Sequence, residues 1–288
     1  MGDTKIHWAD KVWQPVTGCS KISAGCQNCY AEKMSKRLAG RYGYPAENPF
    51  AVTVHPDRLG EPAAWKKPQR VFVCSMGDLF HSDVSPDFLL RVFGRMNAYT
   101  QHTFLVLTKR PDNALQFCRE YGLVPSEFGP SPSGNYWPAN VWAGVTAENQ
   151  EIADERIPIL MQIPAAVKFV SVEPMIGPVD ITRYLQLTGD NGGFEHFEKH
   201  GWGFDEWSGG AIGRGDSCYD PQPGLDWIIC GGESAQKARQ MQLGWAESLH
   251  DQCKTAGVSF FMKQMSGRRK AEREAIPAHI DVQQFPEG

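Results

Sequence analysis

The sequence predicts an α/β fold, a partial or complete (β/α) barrel, because short apolar strands alternate along the chain with amphipathic helical segments. Strand patterns occur at 71–74, 103–107, 141–145, 167–172, 227–230 and 258–262. Helical patterns lie between them at 85–98, 110–121, 148–162 and 240–256. The 288 residues, 41% of them hydrophobic, provide enough material for one barrel domain.

The segment before this alternation extends the prediction. Residues 13–17 and 51–55 read as further strands and bring the expected number to eight. Helical patterns are also predicted at 30–42 and 57–65. We expect residues 1–288 to form a single domain, with 266–288 as a C-terminal tail.

One long insertion interrupts the alternation at residues 184–224. It combines many glycines with aromatic residues. Long segments of this kind inside a compact domain are usually functional or disordered, and the aromatic content argues against plain disorder. We therefore expect a cap near the mouth of the barrel.

Polar side chains follow six successive predicted strands. In chain order they are Ser75 with Gly77 and Asp78, then Lys109, Thr146 with Glu148, Glu173, Glu233 and Lys263. Helix capping accounts for Asp78 or Thr146 taken singly. It does not account for Lys109, Glu173 and Lys263, which come before any helix begins. Because (β/α) barrels build their active sites at the carboxyl ends of the strands, this edge is predicted to hold the site.

Three cysteines define a second candidate site. Cys19, Cys26 and Cys29 have the spacing C-x6-C-x2-C, in a loop rich in Gly, Ser and Asn. Such a set suits zinc or an iron–sulfur cluster. Structural zinc usually has four protein ligands in two pairs, and no second C-x2-C pair follows. A four-iron cluster on three thiolates leaves one iron open to another ligand. The remaining alternative is three buried, unliganded thiols.

Charge and hydropathy restrict the class of protein. A net charge of −4 argues against a uniformly basic nucleic-acid-binding protein, although it allows a local basic groove. No apolar segment reaches membrane-spanning length, and the first residues lack the pattern of a signal peptide. We therefore expect a cytoplasmic protein whose eight cysteines are reduced thiols.

Several segments together resemble a known family. They are residues 18–31, 74–81, 108–111, 144–149, 171–178 and 227–234. As a set they resemble the phage-type three-cysteine-motif family, which is similar to radical S-adenosylmethionine (SAM) enzymes of the spore-photoproduct-lyase-like branch. The resemblance covers roughly residues 10–265 and implies a barrel of the radical SAM type.

The resemblance also implies an activity. Cys19, Cys26 and Cys29 would bind a [4Fe–4S] cluster whose open iron chelates SAM. Reductive cleavage of SAM would give a 5′-deoxyadenosyl radical, which abstracts hydrogen from an unidentified substrate, a nucleic acid or nucleotide being the first candidate. The implied partners are an electron donor of the flavodoxin or ferredoxin type and a further partner protein, with no membrane.

Cofactor-binding residues follow from the same resemblance: Tyr30, Ser75, Gly77, Asp78, Lys109, Thr146, Glu148 and Glu173. The segment after residue 74 would hold the SAM amino group, Thr146 and Glu148 the ribose, Glu173 the region of the adenine, and Lys109 the carboxylate. Two features depart from the common radical SAM pattern. The first two cysteines are three residues farther apart than in C-x3-C, and Asn28 stands where an aromatic residue usually precedes the last cysteine.

The catalytic residue is not identified. The candidates are Lys109, Glu173, Glu233 and Lys263, and the candidate hydrogen donors are Cys74, Cys230 and Tyr219. Two alternatives belong to other classes. One is a zinc-binding, non-catalytic module that contacts nucleic acid or protein. The other is a cluster-free barrel hydrolase or lyase that uses Glu173, Glu233 and Lys263 for acid–base chemistry.

Overall fold

A computed structural model of the chain describes residues 4, 6–123, 137–185, 224–268, 271 and 273–286. Its strands are β1 (Lys11–Trp13), β2 (Val16–Thr17), β3 (Thr53–Val54), β4 (Arg70–Val73), β5 (Thr103–Thr108), β6 (Val141–Thr146), β7 (Lys168–Val172), β8 (Trp227–Gly231) and β9 (Ser259–Gln264). Its α-helices are α1 (Tyr30–Leu38), α2 (Pro86–Ala98), α3 (Pro111–Glu120), α4 (Gln150–Met161) and α5 (Leu243–Ala256). Short 3₁₀-helices lie at Ala24–Cys26, Pro56–Ala64 and Thr182–Tyr184.

Seven of these strands form one parallel sheet in the order β1-β4-β5-β6-β7-β8-β9. The sheet is curled into a half-barrel, so the prediction of a partial (β/α) barrel is confirmed. All six strands predicted between 71 and 262 are present, and the helices predicted between them are present within three residues at each end.

The strand predicted at 51–55 is present as β3, but its expected place in the barrel is wrong. Residues 53–54 pair antiparallel with β2 in a separate two-stranded sheet, where Val16 is opposite Val54. Val54 is exposed, whereas a strand of a parallel barrel is buried on both faces. The neighbouring segment 13–17 is divided, since Pro15, which has no N–H to donate, separates β1 from β2.

Alternate residues of the strands belong to two different cores. Residues such as Phe104, Val170 and Phe260 pack with α2 to α5 on the outer face of the sheet. The intervening residues form a largely aromatic cluster on the inner face, made of Trp8, Leu105, Trp142, Phe169, Trp227, Ile229 and Phe261 among others. The interior of the half-barrel is therefore filled by apolar and mostly aromatic side chains.

The C-terminal residues cover the last strand. The Met262 N–H donates to Val282 O at 2.7 Å, and the Gln284 N–H donates to Phe260 O at 2.9 Å. The Phe285 ring lies against Trp227 and under the Arg70 guanidinium. Part of the predicted tail thus contributes to the sheet edge. Residues 186–223, most of the predicted insertion, and its proposed cap lie outside the described residues.

A buried histidine predicts how stability depends on pH. His55 is only 4% exposed, and its Nε2 lies 2.8 Å from Thr17 Oγ1. Burial, with the neighbouring Arg58, lowers the pKa of His55 below the value of about 6.5 that it regains in the unfolded chain. Between these two values the unfolded state binds more protons, so stability should fall as the pH drops below about 6.5.

We expect the urea midpoint to be lower at pH 5.5 than at pH 7.5, and the decrease to be smaller in His55→Gln. Burial also lowers the pKa of His81, so part of the decrease should remain in that variant. An equal decrease in both proteins would contradict a role for His55.

Candidate functional site

The cysteine loop, residues 18–29, lies across the carboxyl ends of the strands. Gly18 forms a bridge with Gly77, which follows β4. Farther along, Ser23 Oγ donates to Glu148 Oε1 at 2.5 Å, and Glu148 follows β6. Asn28 Nδ2 donates to Glu233 Oε2 at 2.9 Å, and Glu233 follows β8. The loop therefore contacts one strand end after another around the opening of the half-barrel.

The three loop cysteines differ from the other described cysteines. Cys19, Cys26 and Cys29 are partly exposed free thiols, so the alternative of three buried thiols is wrong. The remaining described cysteines, Cys74, Cys118, Cys230 and Cys253, are buried free thiols.

Two of the candidate hydrogen donors, Cys74 and Cys230, do not share the exposure of the loop cysteines. Cys74 and Cys230 lie in the core that packs against the helices, and burial raises the pKa of both thiols. Tyr219 lies outside the described residues.

One carboxylate–base pair, Asp78 with Arg110, holds the start of the loop. The buried Asp78 accepts hydrogen bonds from Thr108 Oγ1 at 2.7 Å and from the N–H groups of Phe80 and Lys109 at 3.1 Å. The Arg110 guanidinium donates to Asp78 Oδ2 at 3.0 Å and to Cys19 Sγ at 3.3 Å. The two residues after β5 thus connect the end of β4 to the first cysteine.

A second pair, Glu148 with Lys109, holds the middle of the loop. The Glu148 side chain has no exposed surface and accepts from Lys109, from Ser23 and from Arg156 at 3.4 Å. Burial acts to raise the pKa of Glu148, but the Lys109 ammonium and the hydrogen bonds hold it below its ordinary value. Glu148 is therefore an ionised carboxylate that binds two basic side chains.

The same lysine acts on the second cysteine. Burial acts to raise the pKa of Cys26, whereas the Lys109 charge and nearby hydrogen bonds lower it, and the net shift is downward. Burial raises the pKa of Cys19, with the Asp78 charge acting in the same direction and Arg110 opposing it. Gly25 makes the close approach of the loop possible, because a Cβ there would come within 2.2 Å of Glu148 Oε1.

A third pair, Glu233 with Arg239, holds the end of the loop. Glu233 is buried and accepts from the Arg239 N–H at 2.8 Å and its Nε at 3.2 Å, besides Asn28. Arg239 also donates to Ala24 O at 3.0 Å. The arginine hydrogen bonds and the bond from Asn28 hold the pKa of Glu233 below its ordinary value, against the effect of burial.

The structure brings together four of the predicted polar residues. Asp78, Lys109, Glu148 and Glu233 all lie in the pairs that contact the cysteine loop. Gly77 contacts the loop through its backbone.

The remaining predicted cofactor-binding residues take no part in these carboxylate–base pairs. Ser75 Oγ accepts from Gln14 Nε2 at 2.6 Å, and Thr146 is buried at the end of β6. Tyr30 begins α1 and is 61% exposed.

Two predicted catalytic residues form a separate pair. Lys263 Nζ lies 2.6 Å from Glu173 Oε1, and both side chains are about one-fifth exposed. The backbone of Gly231 lies between their strands, where a Cβ would come within 3.2 Å of Glu173 Cδ. The hydrogen bonds described for this pair do not reach the cysteine loop. It therefore forms a second polar group at the carboxyl edge.

Sequence reasoning missed the residues that join the carboxylates to the loop: Ser23, Asn28, Arg110, Arg156 and Arg239. Arg110 directly follows the predicted Lys109, so its position was a usable signal. Arg239 lies eight residues beyond β8, and nothing in the spacing pointed to it.

A glycine before the first cysteine predicts a strong effect on the fold. Gly18 has φ +83°, and a Cβ there would come within 2.1 Å of Ala51 O. Gly18→Ala should lower the free energy of unfolding by about 3 kcal/mol or more, because backbone strain and overpacking add. The control is Gly94→Ala in α2, where no atom lies within 4 Å of the new Cβ. It should be neutral or stabilising by up to about 1 kcal/mol. Urea denaturation of both variants checks this, and equal stabilities would contradict it.

Comparison with known proteins gives a family and two structural similarities. A family model described as "Protein of unknown function (DUF5131)" matches residues 3–284. The structure is similar to spore photoproduct lyase complexed with dinucleoside spore photoproduct, with 10% identity and a TM-score of 0.41 over 86% of this chain and 75% of that chain. It is also similar to a cysteine-to-serine mutant of spore photoproduct lyase, with 10% identity and a TM-score of 0.42 over 91% of this chain and 79% of that chain. No curated protein matches the chain.

In the described part of the chain, no three Cys, His, Asp or Glu side chains are arranged to hold a metal ion. No described helix combines the length and the apolar character needed to cross a bilayer.

Proposed function

We propose that this chain, which belongs to the DUF5131 family of proteins of unknown function, is a radical SAM enzyme that holds a [4Fe–4S] cluster on Cys19, Cys26 and Cys29. One observation carries the proposal. Three partly exposed thiols lie in a single loop, and that loop is fixed across the carboxyl edge of a parallel half-barrel by three carboxylate–base pairs. Active sites of (β/α) barrels are built at this edge.

The donor set fits such a cluster. Thiolates are the usual protein ligands of iron–sulfur clusters, and each binds a different iron, so the three sulfurs need not meet at one point. Lys109 and Arg110 bring positive charge to Cys26 and Cys19, which favours an anionic group. Helix α1 begins directly after Cys29, and the N–H groups of a helix N-terminus favour negative charge.

When bound, the cluster and SAM supply the electron transfer and radical chemistry, and the protein provides binding, orientation and exclusion of side reactions. The three cysteines are the proposed ligands. The aromatic cluster fills the inner face of the half-barrel, so we propose that a substrate approaches from the carboxyl edge, where the cysteine loop lies.

The proposed SAM-binding residues differ in how available they are. Asp78 and Glu148 already accept several hydrogen bonds from the protein, so either would reach SAM only if a donor gave way. We propose that both mainly position the basic residues and the loop. Tyr30, Ser75 and Gly77, together with Lys109 and Thr146, remain the candidates for direct contact.

Glu173 and Lys263 remain candidates for contact with the adenine or the substrate. Their carboxylate and ammonium are partly exposed and reach no cysteine through the described hydrogen bonds. We propose that a nucleic acid or nucleotide is the first substrate class to test, and that a small redox protein of the flavodoxin or ferredoxin type supplies the electron.

The test is anaerobic reconstitution with iron and sulfide, followed by metal analysis and incubation with SAM and dithionite. We expect a brown protein that converts SAM to 5′-deoxyadenosine and methionine. A colourless protein with stoichiometric zinc would instead favour the zinc-binding module. A metal-free protein with hydrolase or lyase activity would favour the cluster-free barrel enzyme. Either result would overturn the proposal.

A further inference from the structure

We infer that Arg110 is a positioning residue that orients the Cys19 sulfur and raises the reduction potential of the cluster bound there, an inference that rests on the proposed function. The contact that points to this role joins a guanidinium N–H to the sulfur at 3.3 Å. It differs from the other contacts of the cysteine loop because it reaches a proposed ligand atom itself with a full positive charge.

Both terminal nitrogens of the Arg110 guanidinium donate hydrogen bonds at this site. One terminal nitrogen of Arg110 donates to Cys19 Sγ and to Asp78 Oδ2 at 3.0 Å. The other donates to Ser20 O at 3.0 Å and to Ser20 Oγ at 2.9 Å. A planar guanidinium can hold several acceptors in fixed directions at once. Arg110 therefore fixes Cys19 and the residue after it together.

Other residues fix the position of Arg110 itself. Its backbone N–H donates to Thr108 Oγ1 at 2.9 Å, and its side chain is only 10% exposed. Asp78, which takes up one side of the guanidinium, also accepts from Phe80, Thr108 and Lys109. The donor aimed at Cys19 is therefore fixed in place, and it does not depend on a mobile surface side chain.

The expected effect on the cluster follows from charge. Reduction adds an electron to the cluster, and part of that charge falls on the ligand sulfurs. A hydrogen bond to a ligand sulfur stabilises the reduced state more than the oxidised state, and hydrogen bonds to the sulfurs are among the factors that set the potentials of these clusters. Low exposure reduces screening by water and so increases the effect. Loss of Arg110 should therefore lower the potential.

The experiment compares four reconstituted proteins: wild type, Arg110→Gln, Arg110→Lys and Arg119→Gln. Arg119 is the control, since its guanidinium lies on α3 and donates to Gln162 Oε1 at 3.0 Å, at an exposed position. The readouts are iron content, the thermal midpoint of unfolding and the reduction potential, titrated by electron paramagnetic resonance. None of these readouts depends on turnover.

We expect Arg110→Gln to keep its fold, because Asp78 retains three other donors. At a fixed potential its ratio of reduced to oxidised cluster should fall about tenfold, which corresponds to about 59 mV for a one-electron couple. In Arg110→Lys the reduction potential should fall by less, since an ammonium keeps the positive charge but lacks the planar set of N–H donors. Arg119→Gln should match the wild type.

The outcomes separate the two proposals. If the wild type takes up no cluster, the proposed function fails and this inference fails with it. If the wild type is loaded and Arg110→Gln has full iron with an unchanged potential, only the inference is overturned. If Arg110→Gln does not retain iron, the potential is measured in Arg110→Lys, where a value equal to that of the wild type overturns the inference.

Discussion

Replacing Cys26 by Ala should reduce the iron content of the reconstituted protein to background and abolish formation of 5′-deoxyadenosine. Cys26 is partly exposed, and its thiol has a lowered pKa beside Lys109, so the variant removes a proposed ligand and leaves the hydrophobic cores intact. The same loss is expected for Cys19→Ala and Cys29→Ala, because a cluster with three protein ligands has no spare thiolate. Iron and sulfide analysis with an absorption spectrum measures the effect.

The matched control is Cys118→Ala. Cys118 is buried in α3 within the core that packs against the helices. Its removal should cost roughly 1 kcal/mol of stability through the lost sulfur contacts and leave the iron content unchanged. Full iron in Cys26→Ala, or an equal loss of iron in Cys118→Ala, would contradict the assignment of the ligands to the loop.

Glu148→Ala should produce the largest loss of stability of the variants considered. The carboxylate has no exposed surface and lies between Lys109 and Arg156, so the variant leaves buried positive charge without its partner. Breaking a buried ion pair in this way typically costs about 3–5 kcal/mol. Urea denaturation of the metal-free protein measures the effect without interference from cluster loading.

Two further variants isolate the cause. Glu151→Ala removes an exposed carboxylate from the first turn of α4 and should change stability by less than about 1 kcal/mol. Adding Lys109→Met to Glu148→Ala removes one of the stranded charges and should recover part of the loss, as a double-mutant cycle would show. Equal losses in Glu148→Ala and Glu151→Ala would contradict the importance of burial.

The sequence predicted the barrel strands well because their signal is local. Buried parallel strands are short, apolar runs, and each of the six runs between 71 and 262 is a strand. Residues 53–54 carry the same β-branched signal in a two-residue antiparallel pair. Strand propensity alone does not contain the partner or its direction, which is why the predicted count of eight barrel strands was too high.

The candidate site was predictable as a set of residues and not as an arrangement. Listing the polar residues after each strand found Asp78, Lys109, Glu148 and Glu233. It did not show that each carboxylate would be occupied by a base and turned toward the cysteine loop. The contacts with the loop join residues far apart in the sequence, 125 positions for Ser23 with Glu148 and 205 for Asn28 with Glu233, and they depend on the curl of the sheet.

The three carboxylate–base pairs also bear on how the protein would mature. They hold the loop at Ser20 near its start, at Ser23 in its middle and at Asn28 near its end, through contacts made by the protein alone. A protein that delivers iron–sulfur clusters would then meet a preformed binding loop, and little conformational entropy would be lost when the cluster is transferred. Apoprotein purified in air should for that reason bind its proposed cluster during a later anaerobic reconstitution, within minutes and without refolding.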